Sequence, residues 1–221
     1  MFIWKLITLV LICTFYQMTN AAEFESSCKR QLEPPSFKIR AENSKVVYDF
    51  SKSYKELTEL SNSKNTTVGL ASASLKVEAN FNVQEKRAKK ESCISPQVDI
   101  LLTVSPQKIF VAKEFYDNVC IFNEISQHEL IHVKINQQEA EALAKDLNNL
   151  FTKTFPREIL VGVSSLQWKN EFNAYLKTKL FPKIQELFEI RTKQKHLILD
   201  SPQEYERIST ACNGVVAEIM N

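Results

Sequence analysis

The chain carries almost no excess of charge, since its 221 residues give a formal net charge of only +2 at pH 7. A charge this small and this dispersed gives no basis for binding nucleic acid. Its one basic cluster, Lys86-Arg87-Lys89-Lys90, is typical of a solvated hairpin loop rather than of a binding patch. We therefore expect no nucleic-acid partner.

Long apolar segments are also scarce, because only residues 6–16 form an almost wholly apolar run. A bilayer-spanning helix needs about 20 such residues, so this run is too short. It follows a short, positively charged start and precedes small residues at Thr19 and Ala21, the pattern of a cleavable export signal. We predict a signal peptide at residues 1–21, a single mature domain at residues 22–221, and no stable membrane insertion afterwards.

No two cysteines stand in a C-x-x-C pair, which argues against a cysteine metal site. Cys13 lies in the predicted signal peptide, so an even number remains in the mature chain. An even number in an exported chain indicates disulfides formed in an oxidising compartment. The pairing stays open at this level, and the cysteines concerned are Cys28, Cys93, Cys120 and Cys212.

The hydrophobic patterns predict strands first and helices afterwards. Residues 44–112 are β-rich, and apolar residues alternate with polar ones over residues 75–83, as in a half-buried strand. Residues 120–221 instead repeat their apolar positions at three- and four-residue spacings, and Ser201-Pro202 is a typical helix start. The order predicts an α+β fold, an N-terminal antiparallel β-sheet followed by a helical C-terminal half.

The most reactive stretch is NEISQHELIHVKINQ, within a helical run predicted over residues 124–152. His128 and His132 stand four residues apart, so on a helix both imidazoles project from one face and can bind one ion. Glu129 lies beside that face and can act as a general base through a metal-activated water. The spacing therefore predicts a Zn²⁺ site for attack on a peptide carbonyl, and the alternative is a solvated polar helix face.

The motif leaves the third metal ligand open. His196 is the one histidine outside the motif and precedes the well-capped last helix, so we predict it as the third ligand; its alternative is an exposed loop histidine. Glu204 is the alternative ligand, although it also occupies a capping-box position. Asp200 or Glu204 can instead orient a ligand imidazole. Tyr205 is a candidate oxyanion stabiliser or an ordinary half-buried aromatic residue. The middle helix offers further carboxylates at Glu171, Glu186 and Glu189.

The stretch IFVAKEFYDNVCIFNEISQHELIHVKI resembles a bacterial family of predicted secreted zinc-dependent proteases. The likeness extends to GLASASLKVEANFNV as paired strands and, more loosely, to DSPQEYERISTACNG. It implies a zincin-like fold, metal binding by His128 and His132, and catalysis by Glu129. Family members often carry a further histidine near a C-terminal Tyr-acid-x-x-Ser/Thr pattern, whereas YERIST here is followed by residues 211–214 without one.

Two hypotheses from different classes follow. The first is a periplasmic or secreted zinc metallopeptidase, monomeric, that acts on a protein or peptide substrate with Zn²⁺ as its cofactor. The second is a non-catalytic, disulfide-stapled envelope protein in which the motif helix is structural. A zinc-binding pseudoenzyme lies between them, because it would keep the metal and lack the hydrolysis.

Overall fold

The fold, seen in a computed structural model, is described over residues 23–62, 65–88 and 91–220. The predicted signal peptide at residues 1–21 lies outside these ranges, so it stays a prediction. Among the described residues, no helix combines the length and the apolar character that a membrane span requires.

The elements follow one another in the predicted order. The strands are β1 (Ser36–Asn43), β2 (Val46–Asp49), β3 (Gly69–Ala88), β4 (Glu91–Val111) and β5 (Leu160–Val161). The helices are α1 (described over residues 23–31), α2 (Tyr54–Ser61), α3 (Val119–Thr154), α4 (Ser165–Tyr175), α5 (Phe181–Leu199) and α6 (Pro202–Met220). A sheet is thus followed by a helical half, which confirms the predicted α+β class.

Strand β4 is the centre of the sheet, because β1, β2, β3 and β5 all pair with it. The β4–β5 pair is antiparallel, with Cys93 opposite Val161. The β2–β4 pair is parallel, with Val46 opposite Gln107. The sequence predicts an antiparallel sheet. The observed sheet is instead mixed, because it contains both a parallel and an antiparallel pair. The physical reason is the connection: α2 and β3 lie between β2 and β4 in the chain, and a parallel pair needs such a long crossover.

The chain groups into two compact units, each assembled from three stretches. The first unit combines the described residues within Met1–Lys38, Ala79–Asp99 and Leu150–Lys179. The second unit combines Ile39–Glu78, Ile100–Asn149 and Leu180–Asn221. The predicted metal-site residues of α3, together with His196 and Glu204, all belong to the second unit.

The first unit is held by a disulfide and a cluster of aromatic rings. Cys28 pairs with Cys93 across a sequence separation of 65 residues, and both side chains are fully buried. Trp168 stacks on Phe172 with ring centroids 4.6 Å apart, and Phe81 meets both rings edge-on. The disulfide limits the freedom of the unfolded chain and so stabilises this unit by about 3–4 kcal/mol.

The second unit has an apolar core around the first turns of α3. Its buried members are Leu57, Ile109, Phe110, Val111, Ala112, Phe115, Ile121, Ile125, Val133, Ile208 and Val216. Ile121 and Ile125 stand one helical turn apart and are both almost fully buried, so this face of α3 is fixed against its neighbours. The next turns of the same helix carry the His-Glu-x-x-His motif, whose position is set by that packing.

A second disulfide joins the beginning of α3 to a break in α6. Cys120 pairs with Cys212, which confirms that all the predicted cysteines form disulfides. At the break the helical backbone is lost over Ala211–Gly214, where Cys212, Asn213 and Gly214 have φ values of 52°, 63° and 79°. Glycine tolerates this left-handed region best, which places Gly214 at the end of the turn. The disulfide therefore holds α6 beside the motif helix.

Candidate metal centre

Helix α3 presents both motif histidines on one face, as the four-residue spacing predicts. The side chains of His128 and His132 are each only 12% exposed, and their ring centroids lie 4.9 Å apart. Asp200 joins them from the corner between two helices, since it is the residue at which α5 ends. Ser201 caps the following helix α6, with its hydroxyl accepting from the backbone N–H of Glu204. The corner is thus fixed by backbone geometry.

Three potential ligand atoms converge at this point. The Nε2 atoms of His128 and His132 lie 3.2 Å apart. Oδ1 of Asp200 lies 3.2 Å from Nε2 of His128 and 3.0 Å from Nε2 of His132. A tetrahedral zinc ion with bonds of about 2.0–2.1 Å separates its ligand atoms by about 3.3–3.4 Å. The edges of the triangle are close to this spacing, and these three residues form a group that could hold a metal ion.

The outer nitrogen of His128 is held by a carboxylate. Nδ1 of His128 lies 3.0 Å from Oε1 of Glu204, which can only accept when ionised, so Nδ1 carries the hydrogen and Nε2 keeps its lone pair. Glu204 is itself fixed by Arg207, whose Nε and Nη2 donate to its two oxygens at 2.9 Å each. Arg207 holds the pKa of Glu204 below its ordinary value, so the carboxylate stays charged. A carboxylate in this position orients a metal-binding imidazole.

The outer nitrogen of His132 is held by a hydrogen-bond relay that runs through His196 to Asn136. Nδ1 of His132 lies 2.7 Å from Nδ1 of His196, and Nε2 of His196 lies 3.0 Å from Oδ1 of the buried Asn136. The amide oxygen accepts, so Nε2 of His196 carries the hydrogen and its Nδ1 must accept from His132. Nε2 of His132 therefore keeps its lone pair as well. Two lone pairs and a carboxylate oxygen thus converge with no hydrogen-bond donor among them, and such a set of acceptor atoms could hold a cation.

Charges around the triangle are strongly coupled. Burial acts to raise the pKa of Asp200, but the neighbouring His128 and His132 outweigh it and hold that pKa well below its ordinary value. Burial likewise acts to lower the pKa of His128, yet Asp200, Glu129 and Glu204 raise it overall. Burial and the neighbouring His132 lower the pKa of His196, which keeps it neutral for its relay. A proton on Nε2 of His128 consequently competes with a metal ion.

Glu129 lies almost fully buried beside the triangle. Burial raises its pKa to about 7, against the lowering effect of His132, His128 and a hydrogen bond from the backbone N–H of Ala71. Strand β3 passes so close that a Cβ atom at Gly69 would lie 2.6 Å from Oε1 of Glu129. Only glycine fits at position 69. The carboxyl group of Glu129, with a pKa near neutrality, is suited to general acid–base chemistry.

The triangle opens into a cavity of about 850 Å³. Apolar side chains of β3, α3 and α6, including Leu70, Ile125 and Ile208, form part of its wall. Tyr205 also lines it and is half-exposed. Burial and the charges of Asp200 and Glu129 raise the pKa of its hydroxyl, which therefore stays protonated and can donate a hydrogen bond. The cavity thus combines an apolar wall with a few polar groups, as ligand sites commonly do.

Some of the predicted site residues lie in the triangle, and others contact its two histidines from outside. His128 and His132 lie in the triangle as predicted, with Glu129 beside them. His196 and Glu204, the sequence candidates for the third ligand, instead contact the outer nitrogens of the two histidines. Their ligand roles stay predictions, whereas Asp200, which the sequence favoured only as an orienting residue, supplies the third converging atom. The sequence signal for Asp200 is its position directly before the helix cap Ser201.

Comparisons with models of protein families, with curated proteins and with solved structures find no match to this chain. The resemblance to secreted zinc-dependent proteases therefore stays an expectation. What the chain does has to be inferred from the geometry and the chemistry of its metal centre.

Proposed function

We propose that the chain is an exported zinc-dependent peptidase in which His128, His132 and Asp200 hold Zn²⁺ and Glu129 is the general base. The observation that carries this proposal is the convergence of three acceptor atoms at 3.0–3.2 Å beside a buried glutamate. A solvated polar helix face would give no reason for such atoms to be oriented by outer partners on both histidines. A metal centre gives that reason.

The residues fit zinc, because two imidazoles and one carboxylate are ligands of the kind that zinc takes in catalytic sites. A zinc ion held there would supply Lewis-acid chemistry, lowering the pKa of water towards about 7 and polarising a carbonyl group. Glu129 accepts the proton of the attacking water and delivers it to the departing amine, a role open to a buried carboxyl group beside the ligand triangle. Tyr205, protonated in the same cavity, donates a hydrogen bond to the developing oxyanion.

Export is proposed from two independent features. The disulfides Cys28–Cys93 and Cys120–Cys212 indicate an oxidising environment. The apolar run at residues 6–16, with small residues after it, has the pattern of a cleavable signal. Together they favour the periplasm or the extracellular medium as the place of action, with a protein or peptide as the substrate.

The deciding experiment measures zinc stoichiometry by mass spectrometry and hydrolysis of a quenched fluorescent peptide library by the same preparations. We expect one zinc ion per chain in the wild type and in Glu129→Gln, and none in His128→Ala or Asp200→Ala. Hydrolysis should be lost in Glu129→Gln although the metal is retained. Absence of zinc from the wild type after reconstitution, or full hydrolysis by Glu129→Gln, would refute the proposal.

A zinc-stabilised protein without catalysis is the second candidate. The triangle ties α3 to the corner between α5 and α6, so a metal ion there would also brace the second unit. This candidate predicts bound zinc and a large loss of stability on chelation, but no library peptide cleaved by the wild type. Any hydrolysis that disappears in Glu129→Gln decides against it.

A further inference from the structure

A second cavity of about 400 Å³ adjoins the metal centre within the same unit. It lies among β3, α3 and α5, and it shares Ala71 and His196 with the wall of the metal cavity. Because the two cavities share these wall residues, the second cavity lies next to the place where a peptide at the metal centre would bind.

The inner wall of this cavity carries both apolar and polar side chains, with the buried Asn136 among the polar ones. Leu75 and Phe188 are buried in its wall, and the small side chains of Ala71 and Ala73 leave its space open. The one hydroxyl group that is buried in the wall, on Thr192, is already used, since it donates to the backbone carbonyl of Phe188 at 2.9 Å. Leu75 and Phe188 thus offer apolar contact to a chain of methylene groups.

The cavity also has a carboxylate with no ion pair. Glu189 is an exposed lining residue, and within the described ranges no cation lies within ion-pair distance of it, Lys193 one turn later included. Three other acidic residues of the two neighbouring helices are in ion pairs: Glu186 with Lys183, Glu139 with Lys195, and Asp146 with Arg191. The second cavity therefore combines two buried apolar side chains with one solvated carboxylate that has no ion pair.

We propose that the second cavity binds a lysine or arginine side chain of the peptide substrate, with its stem against Leu75 and Phe188 and its cation at Glu189. Long basic side chains have this combination of an apolar stem and a charged end. An acidic side chain would be repelled by Glu189, and an apolar one would gain nothing from it. The inference rests on the proposed peptidase function and adds the substrate class to it.

The test uses blocked hexapeptides that differ at one position only, where they carry lysine, norleucine or glutamate, with that position moved along the peptide. Norleucine keeps the four-carbon stem and removes the charge. At one position, we expect kcat/KM of the zinc-loaded wild type to favour lysine over norleucine by about fivefold, the effect of a partly exposed charge pair of about 1 kcal/mol. Glu189→Gln should abolish that preference, Glu189→Lys should turn it towards glutamate, and the control Glu186→Gln should leave it unchanged.

A binding measurement separates this inference from the peptidase proposal. Calorimetry on zinc-loaded Glu129→Gln, with and without Glu189→Gln, reports peptide binding independently of cleavage. Lysine-dependent binding that needs Glu189, with no cleavage by the wild type, would support the side-chain site and refute the peptidase. Cleavage with no lysine preference at any position, or with a preference that survives Glu189→Gln, would overturn the side-chain site and leave the peptidase standing.

Discussion

His132 donates a hydrogen bond from Nδ1 to Nδ1 of His196 across 2.7 Å. His196 therefore contacts the outer nitrogen of His132 and does not converge with it on the triangle. His196 is in turn fixed by Asn136, which is 7% exposed. The relay directs the lone pair of His132 Nε2 into the triangle with His128 and Asp200. The histidine that the sequence offered as a ligand thus serves, in this geometry, to orient one.

Replacing His196 should weaken zinc binding without abolishing it. Loss of an outer partner of a metal-ligating histidine typically lowers metal affinity by about 10- to 100-fold. We expect His196→Ala to fall in that range in a chelator competition assay, and Asn136→Ala to show a smaller loss. His128→Ala serves as the comparison in which binding disappears. If His196→Ala also lost all of its zinc, His196 would be a ligand, as the sequence prediction had it.

The Glu129→Gln variant of the metal-free protein should become more stable than the wild type as the pH rises. Glu129 titrates near 4.5 when unfolded, whereas burial raises its pKa in the fold to about 7. The folded chain therefore binds this proton more tightly, and the stabilisation present at low pH is lost between these two values. We expect similar free energies of unfolding near pH 5 and a gap of about 2–3 kcal/mol at pH 8.

Urea titrations with a chelator present measure this gap. Added zinc should reduce it, because a neighbouring cation favours the ionised form of the wild-type carboxyl group. A gap of the same size at pH 5 and pH 8 would show that burial does not raise the pKa of Glu129 in the folded protein.

Gly69→Ala should disturb the approach of β3 to α3. The new methyl group would lie 2.5 Å from Cγ2 of Ile125 and 2.6 Å from Oε1 of Glu129, and these side chains are both buried. Overpacking of this kind costs about 1–3 kcal/mol. We expect a lower urea midpoint and a loss of peptide hydrolysis, since the carboxylate must move.

Ser72→Ala is the matched control for that substitution, because Ser72 is exposed on the same strand. Its urea midpoint and its hydrolysis rate should equal those of the wild type. Wild-type values for Gly69→Ala itself would mean that β3 can withdraw from α3 without consequence.

Removing the Cys120–Cys212 disulfide should loosen the metal centre as well as the fold. The bridge closes a sequence separation of 92 residues and anchors the break in α6, whose first turns carry Glu204 and Arg207. The double variant to alanine should lose about 3–5 kcal/mol of unfolding free energy. Its zinc affinity should also fall, because Glu204 orients His128. Unchanged affinity in the chelator assay would show that α6 is held in place without the bridge.

Local periodicity made part of this molecule predictable. His128 and His132 were assigned to one helix face because a four-residue spacing on an α-helix has a single geometric outcome. The order of strands and helices and the cap at Ser201 followed from equally local patterns, and the structure has them. The even number of mature cysteines likewise indicated disulfides before any contact was known.

Tertiary packing decided what depends on residues far apart in the chain. Asp200 reaches the triangle from 72 residues beyond His128, and no periodicity relates the two. The same holds for the pairing of the cysteines and for the parallel register of β2 with β4. The sequence by itself determined which side chains each helix presents. Only the three-dimensional fold determined which of them meet, because that depends on how α3, α5 and α6 pack on one core.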